Sequence, residues 1–184
     1  MANIFIIADT HFGHFGVCKF LNEDGSKLRP WDHPDEMDEV LVKNWNEVVK
    51  PSDRVYHLGD VVMNLKALGI LRRLNGSKIL IKGNHDNFKL SEYVKYFDDI
   101  RASHVLSNMI MTHIPIHEGN FGRFGVNVHG HTHSRRVMTV GHKPIIDPRY
   151  LCVSVEHTNF YPLSLEEVKE RAKITGECKK RKNK

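Results

Sequence analysis

The chain has no paired cysteines, no long apolar run and no low-complexity stretch, and each lack removes a class of protein. Its three cysteines, Cys18, Cys152 and Cys178, are odd in number, lie far apart and form no C-x-x-C. Neither a disulfide framework nor a thiolate metal site is therefore expected, and a reducing, cytoplasmic compartment is. No apolar stretch reaches the ~18 residues that span a bilayer, so no membrane association is expected. The opening Met-Ala-Asn-Ile-Phe-Ile-Ile-Ala-Asp lacks a basic segment, which argues against a cleaved signal peptide. With 40% apolar and 27% charged residues in 184, the composition is that of a globular protein large enough to bury its own core. No repeat or composition break divides it, so residues 1–178 are expected to form one domain.

The net charge of +5 is a property of one end. Residues 179–184 contain five basic side chains and no acid, which leaves the body formally neutral. The segment reads first as a solvated C-terminal tail and second as a tether to a nucleic-acid backbone.

Residues 4–8 form a branched apolar run with the character of a buried strand, and it stops abruptly at Asp9-Thr10-His11-Phe12-Gly13-His14. Pro34 to Val49 places Met37, Val40, Leu41, Trp45 and Val48 at helical spacing, with Pro34 in the first turn. A second strand over 54–58 runs into Gly59-Asp60, and Leu65, Leu68, Leu71 and Leu74 then mark a helical face. A third strand over 78–82 ends in Gly83-Asn84-His85-Asp86. Such alternation predicts an α/β sheet with parallel neighbours. Farther on, Ser107-Asn108 joins two short runs as a tight hairpin, and a strand over 126–129 enters Gly130-His131-Thr132-His133. Residues 151–155 are strand-like, and Ser164-x-x-Glu167 has the form of a capping box opening a last helix.

Histidine is the residue in excess, with thirteen in the chain. A lone histidine is more often structural than functional, but here the imidazoles cluster where strands stop. Asp9 with His11, Asp60, Asn84 with His85, His113, and His131 with His133 each close a strand. Ligand crevices of open α/β sheets lie beyond the carboxyl ends of strands, so these clusters can converge. In an extended segment D-x-H and H-x-H place both side chains on one face. Imidazole with carboxylate and no thiolate suits Mn, Fe, Zn, Ni or Co, and disfavours Ca and Mg.

Seven such donors exceed one tetrahedral ion and suit two ions sharing a carboxylate. Two divalent cations against Asp9 and Asp60 leave a cationic pocket whose natural guest is a phosphate ester, cleaved by metal-activated water. His85 follows Asn84 and is the candidate general acid for the leaving group, with Asp86 able to raise its pKa if the two pair. His14, Arg29 and Arg135 are candidate substrate contacts, Arg135 lying two residues beyond His133. His57, His129 and His157 read as partners that orient ligands rather than as ligands.

The ordered blocks Asp9-Thr10-His11, Gly59-Asp60, Gly83-Asn84-His85-Asp86, His113 and Gly130-His131-Thr132-His133 resemble the calcineurin-like metallophosphoesterase superfamily, in particular a small bacterial and phage branch. The resemblance spans Asp9 to His133. It implies a four-layer α/β/β/α sandwich of two mixed sheets flanked by helices. It also implies one metal held by Asp9, His11, Asp60 and His133, a second held by Asp60, Asn84, His113 and His131, and His85 acting on the leaving group. The metals implied are two divalent ions, manganese foremost and Fe, Zn, Ni or Co as the others. Met63 stands where purple acid phosphatases carry Tyr, so no tyrosinate-to-iron chemistry is expected. The expected partner is a small phosphate mono- or diester of nucleotide type. Nuclease action on nucleic acid and a non-catalytic metal-binding interaction scaffold are the alternatives, and a helical HD-type phosphohydrolase conflicts with the strand-rich pattern.

Overall fold

Three apolar strands, β1 (Ile4–Ile7), β2 (Arg54–His57) and β3 (Ser77–Ile81), pair in parallel at the heart of a computed structural model that describes residues 2–175, with side chains to residue 172. Cys178 and the basic stretch 179–184 lie outside the described residues. Both faces of this sheet are covered, so β1 is apolar throughout and burial runs over consecutive residues from Val55 to His57 and from Ile79 to Ile81, with Arg54, Ser77 and Lys78 at the strand starts. Phe5, Ile7, Val55 and Leu80 pack on one side against α1 (Pro34–Val48). Ile6, Ala8, Tyr56, Leu58, Ile79 and Ile81 face a second sheet.

The first sheet is completed by β4 (Asp99–Arg101), parallel to β3, and by β9 (Leu163–Ser164), antiparallel to β1, giving the order β4-β3-β2-β1-β9. Strands of two or three residues are too short to carry a periodic signal, as is the single-turn α2 (Leu90–Tyr93). The second sheet runs β5 (His104–Leu106), β6 (Met109–Met111), β7 (Val126–His129) and β8 (Tyr150–Cys152) in that order. The β5–β6 hairpin turns through Ser107 and Asn108 at φ 51° and 65°, the left-handed pair that two-residue hairpins require. Two mixed sheets thus lie face to face in an α/β fold, as expected.

Helical segments cover the outer faces, except the last one, whose Val168 and Ala172 pack into the cluster between the sheets. The residue before α1, His33, accepts a hydrogen bond from the Asp35 amide, and Trp45 anchors the helix by donating to the Asn75 carbonyl at 3.0 Å. Leu65 to Arg73 forms a 3-10 helix. The leucine spacing of three matches its three residues per turn, and Leu68, Leu71 and Leu74 are buried on one side. On the far side of the second sheet a 3-10 segment, Glu118–Arg123, sets Phe121 edge-on against Tyr150. The last helix, α3 (Leu165–Thr175), opens with the expected capping box: Glu167 accepts from the Ser164 amide at 2.8 Å and Ser164 Oγ accepts from the Glu167 amide. Among the described residues no helix is long and apolar enough to cross a membrane.

One seam joins the sheets. Ala8 bridges Ser154 in parallel register, its amide donating to Val153 O and its carbonyl accepting from the Val155 amide. The carboxyl ends of β1 and β8 are therefore brought together, and the loops that follow β2, β3, β6 and β7 open on the same edge.

Close approach at that edge depends on Gly59, at φ +90°, where a Cβ would meet the Gly83 amide nitrogen at 2.5 Å. Gly59→Ala is expected to cost about 3 kcal/mol or more in urea denaturation, from a backbone clash added to left-handed strain. Gly25→Ala, at φ +83° with nothing within 4 Å, is the control and should cost about 1 kcal/mol.

Candidate metal centre

Asp9 and His11 do not sit in an extended segment. Both are left-handed, at φ 58° and 50°, with Thr10 between them turned inward to donate to Val61 O and meet His57 Nε2. Asp60, His131 and His133 are left-handed as well, at φ 56°, 70° and 50°. The expected convergence is therefore reached by a different backbone route. Asp and His are among the non-glycine residues that tolerate this region best, yet each such residue costs about 1–3 kcal/mol and needs external support.

The support is visible. His11 and Phe12 amides donate to Asp60 O and Val61 O, tying the first loop to the second. Asp86, fully buried, accepts from the amides of Gly83, Asp60 and Val61 at 2.8, 2.9 and 3.0 Å. Its carboxylate is thus committed to the backbone rather than paired with the His85 ring, and Asp86 is a positioning residue. Arg29 is corrected in the same way. It is 0% exposed and donates to Asp9 O at 2.6 Å and Thr10 O at 2.8 Å while pairing with Glu156 at 2.8 Å, so its guanidinium does not face substrate.

Around this frame the donors gather. Asp9, His11 and His133 offer ligand atoms all within 4.8 Å of one another, and so do Asp9, Asp60 and His113. Asp60 Oδ2 stands between two imidazoles, 3.7 Å from His11 Nε2 and 3.4 Å from His113 Nε2. Its other oxygen accepts from the His85 amide at 2.8 Å. Asn84 Oδ1 lies 2.8 Å from His113 Nε2 and 2.9 Å from His131 Nδ1. His85 is exposed at the rim, its ring edge-on to His11 at 5.7 Å, and half-buried His14 lies 5.4 Å from His11. Arg135 is exposed at the mouth, beside a cleft that His131 and His133 help to line.

Burial pushes the Asp9 carboxyl up to about 6, against the opposing pull of His113 and His133. Burial acts the same way on Asp60, but the hydrogen bond and charge of His113 outweigh it and hold that group below its ordinary range. His11 is driven well below its usual value by burial and by the Arg29 charge. Among the described residues no lysine or arginine forms an ion pair with the Asp9 or Asp60 carboxylate, and His11 Nδ1 is buried without a partner. Two buried carboxylates are thus ringed by imidazoles: burial lowers all three, but at His113 and His133 the carboxylates beside them outweigh it and push the rings up, while His11 stays well below its usual value. The donor set fits divalent metal.

Two functional neighbours escape the strand-end reading. Ser154 Oγ donates to Asp9 Oδ2 at 2.6 Å, and Glu156 bonds His133 Nδ1 at 3.0 Å. Glu156 is held down to about 2: burial opposes ionisation, but Arg29 and His133 outweigh it. The signal for both is Ser154-Val155-Glu156-His157, one more polar cluster just past a strand, β8. His57 and His129 are buried and pushed by burial to about 3 and about 4, so both are neutral. Neither belongs to either donor group.

Fold and site together define an α/β protein carrying a candidate metal centre. The chain is 34% identical over 176 residues to the uncharacterized protein MJ1445 of Methanocaldococcus jannaschii, covering 90% of this chain and 89% of that one, and belongs to the same family. It is 28% identical to the gene 66 protein of Mycobacterium phage D29, over 85% and 89% of the two chains. The crystal structure of AQ665, a protein of unknown function from Aquifex aeolicus, superposes with a TM-score of 0.63 at 25% identity over 92% of this chain and 99% of that one. No family model matches the chain.

Arg29 provides a test that separates support from substrate contact. Arg29→Met, which leaves Glu156 buried without its partner, should cost about 3–5 kcal/mol in chemical denaturation. Arg29→Lys keeps the charge but not the fork and should lose about 1–3 kcal/mol. A variant of undiminished stability would contradict this role.

Proposed function

We propose that the chain is a metal-dependent phosphoesterase that binds two divalent ions and cleaves a phosphate mono- or diester without a covalent enzyme intermediate. The observation that carries this reading is the position of Asp60 Oδ2 between His11 and His113, where a carboxylate could serve two ions. The two donor groups place ligand atoms of Asp9, His11, Asp60, His113 and His133 in one cup, which supports metal binding there. Asp9, His11, Asp60 and His133 would hold one ion, and Asp60, Asn84, His113 and His131 the other, with manganese the first to try. When bound, such a pair polarises the phosphoryl oxygens and makes water nucleophilic at neutral pH.

The remaining chemistry falls to side chains. Ser154 and Glu156 orient Asp9 and His133 through the hydrogen bonds described above, as outer partners of metal ligands do. Asp86 and Arg29 keep the left-handed loops in place. His85 is oriented through its amide on Asp60, and its exposed ring can exchange a proton with solvent and deliver it to the leaving oxygen. With no such proton, an alkoxide would have to depart as an anion.

The full chain, reconstituted in turn with Mn, Ni, Co, Zn and Mg, should bind about two equivalents of its preferred metal and hydrolyse an aryl phosphate ester. Asp60→Asn should lower both bound metal, by elemental analysis, and turnover. His85→Asn should keep its metal and lose about 10²–10⁴-fold in turnover of an alkyl ester, with a smaller loss for a nitrophenyl leaving group that needs little protonation. Full activity of His85→Asn on both esters would remove His85 from the reaction.

A further inference from the structure

The cleft beside the metal centre is a built feature. One arm, closed by a bridge between Leu21 and Lys27, faces a second arm closed by a bridge between Met138 and Ile146. Ser134 Oγ clips them together by donating to Asn22 Oδ1 at 2.7 Å. Between the first arm and residues 131–135 a cavity of about 470 Å³, opening directly on His131 and His133, shares Leu21, Ser134 and Arg135 with an outer chamber of about 590 Å³ that reaches Met138 of the second arm. Both lie within the ~300–1,000 Å³ typical of small-molecule sites.

We propose that this cleft receives the organic group of the phosphate ester and that the group is a single nucleoside, its base stacked on Phe20. The inference rests on the phosphoesterase reading above and names the substrate class of that same site. Phe20 lines the inner cavity, is 48% exposed, and is steadied by an edge-on contact with His14 at 5.8 Å. It therefore presents a fixed aromatic surface one residue away from His11, whose ring neighbours His14. Aromatic faces of this kind stack on bases irrespective of base identity.

The outer chamber points to one nucleoside rather than a chain of them. Its acids Glu23 and Asp24 balance its arginines Arg135 and Arg136, with Arg135 Nε 3.8 Å from Glu23. A groove that tracks a polynucleotide, or a pocket for a second phosphate, is predominantly basic. A balanced chamber instead suits a neutral group with both donors and acceptors on its edge, as a purine or cytosine has.

The test uses the metal-loaded full chain turning over a p-nitrophenyl phosphate mono- or diester, with AMP and inorganic phosphate as competing inhibitors. The readout is the ratio of the phosphate Ki to the AMP Ki, which cancels any general change in the metal site. In the parent chain AMP should bind at least about tenfold more tightly than phosphate. Phe20→Ala should reduce that ratio about tenfold, and Phe20→Tyr should restore it. A ratio near one in the parent, or a ratio unmoved by Phe20→Ala, would overturn the nucleoside subsite while leaving the phosphoesterase intact. Absence of turnover with every metal and both esters would overturn the phosphoesterase reading, and the subsite with it.

Discussion

Two carboxylates placed out of water, with no lysine or arginine among the described residues paired to them, set the terms for the rest of the molecule. Asp9 is 0% exposed and Asp60 is 1% exposed, and an unpaired carboxylate in such surroundings is strongly disfavoured. Burial lowers all three neighbouring imidazoles, but hydrogen bonds and charge from Asp60 and Glu156 outweigh it at His113 and His133 and push them up, so those two offset part of that cost and His11 does not. Folding energy from two apolar layers has to cover the balance. The site lies at the strand ends of both sheets, directly above the two buried apolar clusters.

The same edge concentrates backbone strain. Five of the seven candidate ligands are left-handed, and none of the five is glycine. Ordinary sheet or helix geometry would spread these side chains along a strand or around an axis; the left-handed kinks crowd them into one cup. What holds the kinks is long-range and ionic. Asp86 spans the loops after β2 and β3, while Arg29 satisfies carbonyls that the kinks turn away from the sheet ladder and anchors in turn on Glu156. The buried ion pair is thus part of a brace rather than a source of net stability, consistent with the modest worth of such pairs.

Much of this is legible in the sequence where the signal is local. Strand, turn and cap are written in adjacent residues: the Ser107-Asn108 hairpin, the Ser164/Glu167 cap and the polar clusters closing β1, β2, β3 and β7. The leucines at spacing three are legible as a helical face, and their strict interval is the period of the tighter 3-10 form. The supports are not legible, because their partners are remote. Arg29 meets Glu156 across 127 residues and Ser154 meets Asp9 across 145. An arginine in a Pro-containing loop carries no mark that distinguishes a buried brace from a surface charge, and Asp86 beside His85 suggests a pair that the backbone amides forestall. The D-x-H spacing leads to the right neighbours by way of the wrong dihedral angles.

The seam between Ala8 and Ser154 has a consequence for how the protein matures. Every candidate donor has left the ribosome once residue 133 has emerged, but the segment that completes Asp9's surroundings follows some twenty residues later on the chain. A nascent polypeptide at that intermediate length holds a full complement of imidazoles and carboxylates without the wall that shapes them. The candidate centre therefore takes its shape only with that wall in place, and a shortened polypeptide bearing every motif would hold the donors without the geometry that groups them.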